Sequence, residues 1–232
     1  FVSIADLETG KLKMIHKGDI RSDRIPNYSF PVLTWHPSNQ ILAYIIEKEG
    51  KPYFVTYNIE TKEKNEKILM QVDQVNSMNY SPDGKRLVFS AYYEGKSDIY
   101  VMPISANKPQ AITSDLFDDA APVFSLDGSQ IIFSSNRQDS LRREYPDTVK
   151  ANSNTKHIYA VQWEAAATKS IMQLSSGSYQ DSHPIAMPKN RVQFIRAKEG
   201  KYDRCSVYRD STIAFIDTVV HYRFFNVTEV LQ

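Results

Sequence analysis

The chain has 232 residues, of which 41% are apolar and 24% are charged, and its formal net charge is +1. This is an ordinary globular composition, and the near-zero charge argues against recognition of nucleic acid or anionic lipid through a strong field. The longest apolar run, about residues 41–46, is far shorter than the roughly 18 residues that a membrane span needs, so we expect no span.

The chain opens in the middle of a repeated unit. Residues 1–5 and 12–15 predict two strands, and the polar segment 6–11 predicts the turn between them. No starting Met and no basic-then-apolar leader precede these strands. We therefore expect the sequence to be a piece of a longer, multidomain protein.

Four similar segments follow, each with an anchor residue, a short turn and an apolar strand. The anchors are Trp35, Tyr80, Phe124 and Ala186, at spacings of 45, 44 and 62 residues, and the last interval contains an insertion. A period near 44 with four short strands per unit predicts an all-β fold, a β-propeller of four-stranded antiparallel blades. The predicted units are 1–26 (partial), 27–72, 73–114, 115–176 with an insertion at 138–156, 177–220 and 221–232 (partial).

The turn after Tyr80 is the clearest local signal. Pro82 presets its own backbone angle at the first corner, Asp83 follows, and Gly84 can adopt the positive φ that closes a type I turn with a bulge. This turn predicts a hairpin between the first two strands of its unit.

The last unit is the most degenerate. Its hairpin, at residues 188–190, is one residue shorter than the others, and we predict its outer strands at 204–208 and 213–216. Residues 221–231 then begin a further strand or two. With about five units in the chain, either residues 221–231 complete the opening half-unit and close a five-bladed ring, or the chain is part of a larger ring of six to eight blades.

Several of these motifs resemble the WD40-like PD40 repeats of the TolB propeller family. The resemblance rests on residues 81–85, on the strand 98–102 with its echo at 157–159, and on the closing strand 111–113. It is strong over about 73–176 and weak over 177–232. It implies a ring of usually six blades that acts as a binding scaffold in the bacterial cell envelope, here the periplasm. Related repeats form the propeller that caps the active site in prolyl-oligopeptidase-type peptidases, and fold alone does not fix function.

Polar residues cluster where the inner strands begin. Residues 118–122 align with 180–184, so Asp119 and Asp181 become equivalent positions, and Arg137 and Arg196 stand at strand ends on the same rim. Such a ring of charges could bind a peptide end or a cation; alternatively, the aspartates cap turns by accepting bonds from nearby amides. The insertion opens on the same face, and long loops on rigid scaffolds often carry function. The candidate partner-binding residues are Asp118, Asp119, Arg137, Arg142, Arg143, Tyr145, Asp181, His183 and Arg196.

Motifs of catalysis and cofactor binding are missing from the sequence. It has no nucleophile elbow, no zinc-binding histidine pair and no phosphate loop, so we predict no catalytic residues, no cofactor and no metal. The leading hypothesis is a non-enzymatic propeller that binds a protein or peptide. The alternatives are a substrate-gating accessory domain of a larger peptidase, whose catalytic part lies outside this sequence, and a carbohydrate-binding propeller.

Overall fold

Every element of the fold is a β-strand, and consecutive strands form separate antiparallel sheets. The computed structural model describes residues 1–17, 31–137, 155–164, 170–216 and 220–231. Within these ranges no helix could cross a membrane. The strands are β1 (Val2–Ala5) and β2 (Leu12–His16) in the opening sheet; β3 (Val32–Trp35), β4 (Ile41–Lys48), β5 (Lys51–Asn58) and β6 (Lys64–Ile68) in blade 1; β7 (Gln74–Tyr80), β8 (Arg86–Tyr93), β9 (Lys96–Pro103) and β10 (Gln110–Ala111) in blade 2; β11 (Asp119–Phe124), β12 (Gln130–Ser135), β13 (His157–Gln162) and β14 (Ile171–Gln173) in blade 3; and β15 (Gln180–Met187), β16 (Arg191–Lys198), β17 (Lys201–Ile216) and β18 (Val220–Val230) in blade 4.

The sheets stack face to face, and one apolar core fills each junction between neighbours. Strand β8 shows how this works: Leu87 and Phe89 belong to the core shared with blade 1, whereas Val88 belongs to the core shared with blade 3. Successive side chains of a strand point to opposite faces, so a blade buried on both faces needs the continuous apolar run that the sequence has here. The predicted propeller of four-stranded blades is confirmed.

The hairpin turns have the predicted geometry. In the turn that joins β7 to β8, the Gly84 amide donates to the Ser81 carbonyl at 2.9 Å, and Gly84 has a φ of +71°. Gly128 occupies the same place in blade 3 with a φ of +74°. We call the end of each blade that contains these turns the hairpin end. The opposite end, where the first strand of the blade begins, is the entry end.

Blade 4 differs from the prediction in its outer strands. Residues 213–216 are not a separate fourth strand, because β17 continues without a break from Lys201 to Ile216. The fourth strand is β18, which pairs with β17 from Cys205↔Val230 to Ile216↔Val220. The assignment of residues 221–231 to a following unit is therefore wrong, as is the idea that they complete the opening sheet, which contains β1 and β2 alone among the described strands. The polar residues 209–212, which include Asp210 and Ser211, are typical of a turn, but in the structure they continue the strand and pair with residues 223–226 of β18.

Candidate functional site

Asp119 and Asp181 occupy equivalent places at the entry ends of blades 3 and 4, as the alignment predicted. Asp119 begins β11 and Asp181 is the second residue of β15. In both strands the pairing register shifts a few residues later, and a residue in that shift has a positive φ, Ala121 at 50° and His183 at 52°. The shared β-bulge gives both aspartates the same orientation toward the preceding blade.

Arg137 organises the junction between blades 2 and 3. Its Nη2 donates to both oxygens of Asp119, at 2.8 and 2.7 Å, and its Nη1 lies 3.3 Å from Asp115 Oδ2. Its Nε donates to Ser135 Oγ at 2.9 Å. Arg137 is 2% exposed and Asp119 is fully buried. Removing either partner of such a buried ion pair would leave an uncompensated buried charge, so an intact pair is needed for a stable fold.

Asp98 adds a third carboxylate to this junction. Oxygens of Asp98, Asp115 and Asp119 all lie within 4.8 Å of one another, and Arg137 pairs with the last two of these residues. Burial, together with the neighbouring Asp119 and Asp115, raises the pKa of Asp98 to about 6. Burial also raises the pKa of Asp119, against the opposing effect of Arg137. Asp98 is the carboxylate that takes up a proton as the pH falls toward 6, because Asp119 has the guanidinium and Asp98 does not.

These carboxylates could contact a cation, but the arginine already neutralises part of their charge. A metal ion would have to compete with Arg137 for Asp115 and Asp119, and like charges at such distances repel. The residues are therefore better suited to hold Arg137 than a divalent metal.

The junction between blades 3 and 4 repeats the plan with other side chains. Arg196 donates from Nε and Nη2 to the two oxygens of Asp181, at 2.8 and 2.9 Å. Burial disfavours the charged form of Asp181, but the bonds and the charge of Arg196, together with the smaller effects of His157 and Ser175, outweigh it and hold the pKa of Asp181 below its usual value. His157, which replaces Asp98, has its Nδ1 3.8 Å from Asp181, too far for a hydrogen bond.

Backbone contacts tie the same blades together. Ser97 Oγ donates to the Asp119 carbonyl at 3.0 Å, and the Asp181 amide donates to the Lys156 carbonyl at 2.7 Å. Thr113 and Ser175 are a second equivalent pair, since their hydroxyls accept from the Ile99 and Ile158 amides, both at 2.9 Å. The two junctions therefore share the same arrangement of hydrogen bonds.

The predicted binding residues separate into three groups. Asp119, Arg137 and Asp181 are buried in the ion pairs, and the Arg196 side chain is 12% exposed, so these residues bond to one another and not to backbone turns as capping residues would. Asp118 and His183 are exposed. Arg142, Arg143 and Tyr145 lie outside the described residues.

The connection between β12 and β13 distinguishes blade 3 from its neighbours. The equivalent turns of blades 1, 2 and 4 are residues 49–50, 94–95 and 199–200, whereas blade 3 uses residues 136–156. Both described ends of this connection are fixed. Asn136 Oδ1 accepts from the Asp118 amide at 2.8 Å and Arg137 holds the acidic cluster, while at the other end Lys156 accepts from Asp181.

Sequence reasoning missed Asp98, Asp115 and His157. Asp98 directly precedes the apolar part of β9, residues 99–102, and a charged residue at that place is a signal that this end of the strand meets other polar groups. The sequence does not show which groups those are, because they belong to the next blade.

Comparison with known proteins agrees with this architecture. The family described as PD40, TolB beta propeller domain, matches residues 6–142, more than half of the chain. The uncharacterized peptidase YuxL of Bacillus subtilis (strain 168) is 28% identical over 103 residues, which are 44% of this chain and 14% of the relative.

Solved structures give the same result for the fold. TolB from Acinetobacter baumannii superposes with a TM-score of 0.60 at 19% identity, covering 88% of this chain and 45% of that chain. A puromycin hydrolase superposes with a TM-score of 0.55 at 8% identity, covering 76% of this chain and 27% of its own. The chain thus spans less than half the length of each of these proteins, and at such identities the likeness establishes the propeller fold alone.

Proposed function

Because the chain belongs to the PD40 family of TolB β-propeller domains, we propose that it is a non-enzymatic propeller that binds a protein or peptide in the bacterial cell envelope. The observation that carries the proposal is the connection 136–156, which is long where the other blades have two-residue turns. A long connection on a rigid scaffold is a common place for recognition.

The ion pairs and hydrogen bonds at the junctions of blade 3 with blades 2 and 4 support this role, because they fix both ends of the connection. Arg137, the second residue of the connection, is held by Asp119 and Asp115, and Lys156, its last residue, bonds to Asp181. Rigid attachment lowers the entropy that a binding segment loses when a partner docks. The buried ion pairs and hydrogen bonds thus fix the two ends of the segment, and Asp118 and His183 are exposed at the entry ends of blades 3 and 4.

Deletion of residues 140–153 tests the proposal. We expect the melting temperature to change by less than about 3 °C, because shortening a loop has a small entropic effect. Capture of a partner from an extract of the source organism's envelope should be lost. A photo-crosslinker at position 145 should label the same partner, whereas one at Leu7, a 95% exposed residue of the opening turn, should not. Undiminished capture by the deletion variant would contradict the proposal.

A second candidate is an accessory domain that gates substrate access in a larger peptidase. The observation that favours it is the likeness to a Bacillus protein named as a peptidase, of which the matched segment is 14%. This candidate predicts that the complete reading frame continues into an α/β-hydrolase or metallopeptidase segment. It also predicts that the full-length protein hydrolyses aminoacyl p-nitroanilides while the propeller alone does not.

A further inference from the structure

The hairpin end of the junction between blades 3 and 4 contains a groove of about 350 Å³. Buried apolar residues of both blades form its floor, among them Ile132, Val192 and Val207. The groove lies at the opposite end of the strands from the connection 136–156, so it is separate from the surface proposed above.

The groove exists because blade 4 lacks the aromatic anchor of the other blades. Tyr80 fills the corresponding space between blades 1 and 2, edge-on to His36 with the ring centres 4.9 Å apart. Phe124 belongs to the core between blades 2 and 3 and lies edge-on to Trp163 of its own blade at 5.9 Å. The equivalent residue of blade 4 is Ala186, which lines the groove, and Leu126 on the facing hairpin stays 55% exposed. The space has the location and the apolar floor suited to an aromatic ring.

The charged side chains at the opening are positive on balance. Lys189 and Arg209 line the groove, and neither has an ion pair within the described ranges. The carboxylate of Asp127 is engaged by Ser125 and Ser129 within its own turn, and Arg191 is paired with Glu229 at 3.1 Å. The serine hydroxyl groups do not neutralise Asp127, so the unpaired charges described at the rim are those of Lys189, Arg209 and Asp127, with a net charge of +1.

The long hairpin of blade 4 extends the groove outward. Beyond the part of β17 that pairs with β16, strands β17 and β18 continue as a two-stranded arm. Asn226, at the groove, and Phe224 and Tyr222 alternate along β18 and so share one face. Phe224 and Tyr222 are 57% and 55% exposed, and the Arg209 guanidinium lies 4.7 Å from the Phe224 ring centre.

We propose that this groove binds a peptide segment of a partner protein that carries an aromatic residue flanked by carboxylates. The aromatic side chain occupies the space beside Ala186 that Tyr80 and Phe124 fill at the other junctions. The flanking carboxylates pair with Lys189 and Arg209, and the arm adds contacts through Phe224 and Tyr222. Burial and stacking of the aromatic ring are the usual sources of affinity at such anchor pockets, and the charge pairs at the exposed rim add selectivity for the acidic flanks.

Methionine methyl NMR offers a direct test. The chain has six methionines, and Met172 and Met187 line the groove while Met14, Met70, Met78 and Met102 do not. The probe is the peptide acetyl-Gly-Glu-Phe-Glu-Gly-amide, titrated to about 5 mM, a range that detects millimolar affinity. We expect the methyl signals of Met172 and Met187 to shift and the other four to stay. The Gln-Phe-Gln analogue should bind at least about fivefold more weakly, and the Glu-Ala-Glu analogue should cause no shift.

Variants locate the binding. Ala186→Phe restores the aromatic anchor and should abolish the shifts, whereas Ile185→Phe, at a neighbouring exposed residue outside the groove, should leave them unchanged. The double variant Lys189→Glu, Arg209→Glu changes exposed residues only and should weaken binding about tenfold or more with the melting temperature unchanged.

Absence of peptide-dependent shifts would overturn the proposal, as would shifts that persist in Ala186→Phe. Shifts of Met172 and Met187 that depend on protein concentration without peptide would show that a second copy is the occupant, which also overturns it. Deleting residues 140–153 should not affect these shifts, so this proposal and the proposed function can fail separately.

Discussion

At the scale of single residues, Arg137 is the most consequential side chain described. It is buried among the rings of Phe117, Phe133 and Tyr159 and faces the carboxylates of Asp115 and Asp119. A guanidinium in such a place cannot lose its proton, so its charge is permanent. The protonation of the surrounding carboxyl groups therefore depends on how close they lie to this charge.

Replacing Arg137 should therefore destabilise the fold strongly. We expect Arg137→Met to lower the free energy of unfolding by about 3–5 kcal/mol at pH 7, since two or more carboxylates lose their counter-charge. Arg86→Met is the matched control, because Arg86 forms only exposed ion pairs, at 3.7 and 3.8 Å, and should cost about 1 kcal/mol or less. Urea unfolding measures both, and equal losses would contradict the assigned role of Arg137.

Asp98 should make stability depend on pH. Its folded-state pKa of about 6 exceeds the ordinary value of 3.8, so ionisation destabilises the folded state. The penalty is absent below about pH 4, develops as the pH rises to 6, and reaches at most about 3 kcal/mol above that, at about 1.4 kcal/mol per pKa unit.

The variant Asp98→Asn removes this titration. It should be more stable than the parent protein at pH 8, and the advantage should disappear by pH 4. Urea unfolding between pH 4 and 8 measures the difference, with the exposed neighbour Asp118→Asn as the control. A difference between Asp98→Asn and the parent protein that is constant across this range would show that Asp98 is ionised throughout.

At the scale of elements, the hairpin turns depend on glycine for two separate reasons. Gly84 has a φ of +71°, and a Cβ there would lie 2.1 Å from His36 Nε2. Gly95 has a φ of +80° with open space around it. A substitution at Gly95 therefore costs backbone strain alone, whereas a substitution at Gly84 costs backbone strain and also a clash with the neighbouring blade.

Gly84→Ala should cost clearly more stability than Gly95→Ala. We expect about 1–2 kcal/mol for Gly95→Ala, from the positive φ alone, and a larger loss for Gly84→Ala, since the His36 ring must leave Tyr80. Thermal unfolding of both variants gives the comparison. In the background of His36→Ala the extra cost of Gly84→Ala should vanish, and a cost that persists there would exclude the His36 contact as its cause.

At the scale of the whole molecule, the outer face of blade 4 differs from the faces buried between blades. Blade 2 presents Val88, Ile99 and Val101 to the next blade, and the equivalent positions of blade 4 are Gln193, Arg204 and Ser206. A further sheet stacked on blade 4 would need polar contacts there in place of the usual apolar core. The expectation that the chain is part of a larger ring stays a prediction.

The sequence by itself determined the repeat, the propeller fold and the places of Asp119, Arg137, Asp181 and Arg196, because glycine turns and apolar strands act locally and recur at a fixed period. The end of β17 and the pairing of β18 were decided by tertiary structure, since Asp210 and Ser211 are typical of a turn at a place where the strand continues. Tertiary structure also decided that the four charged residues are buried partners, and that Ala186 leaves a groove. Burial of a side chain, and empty space at a junction, depend on side chains from two different blades. The sequence of one strand does not show which residues face it across the junction.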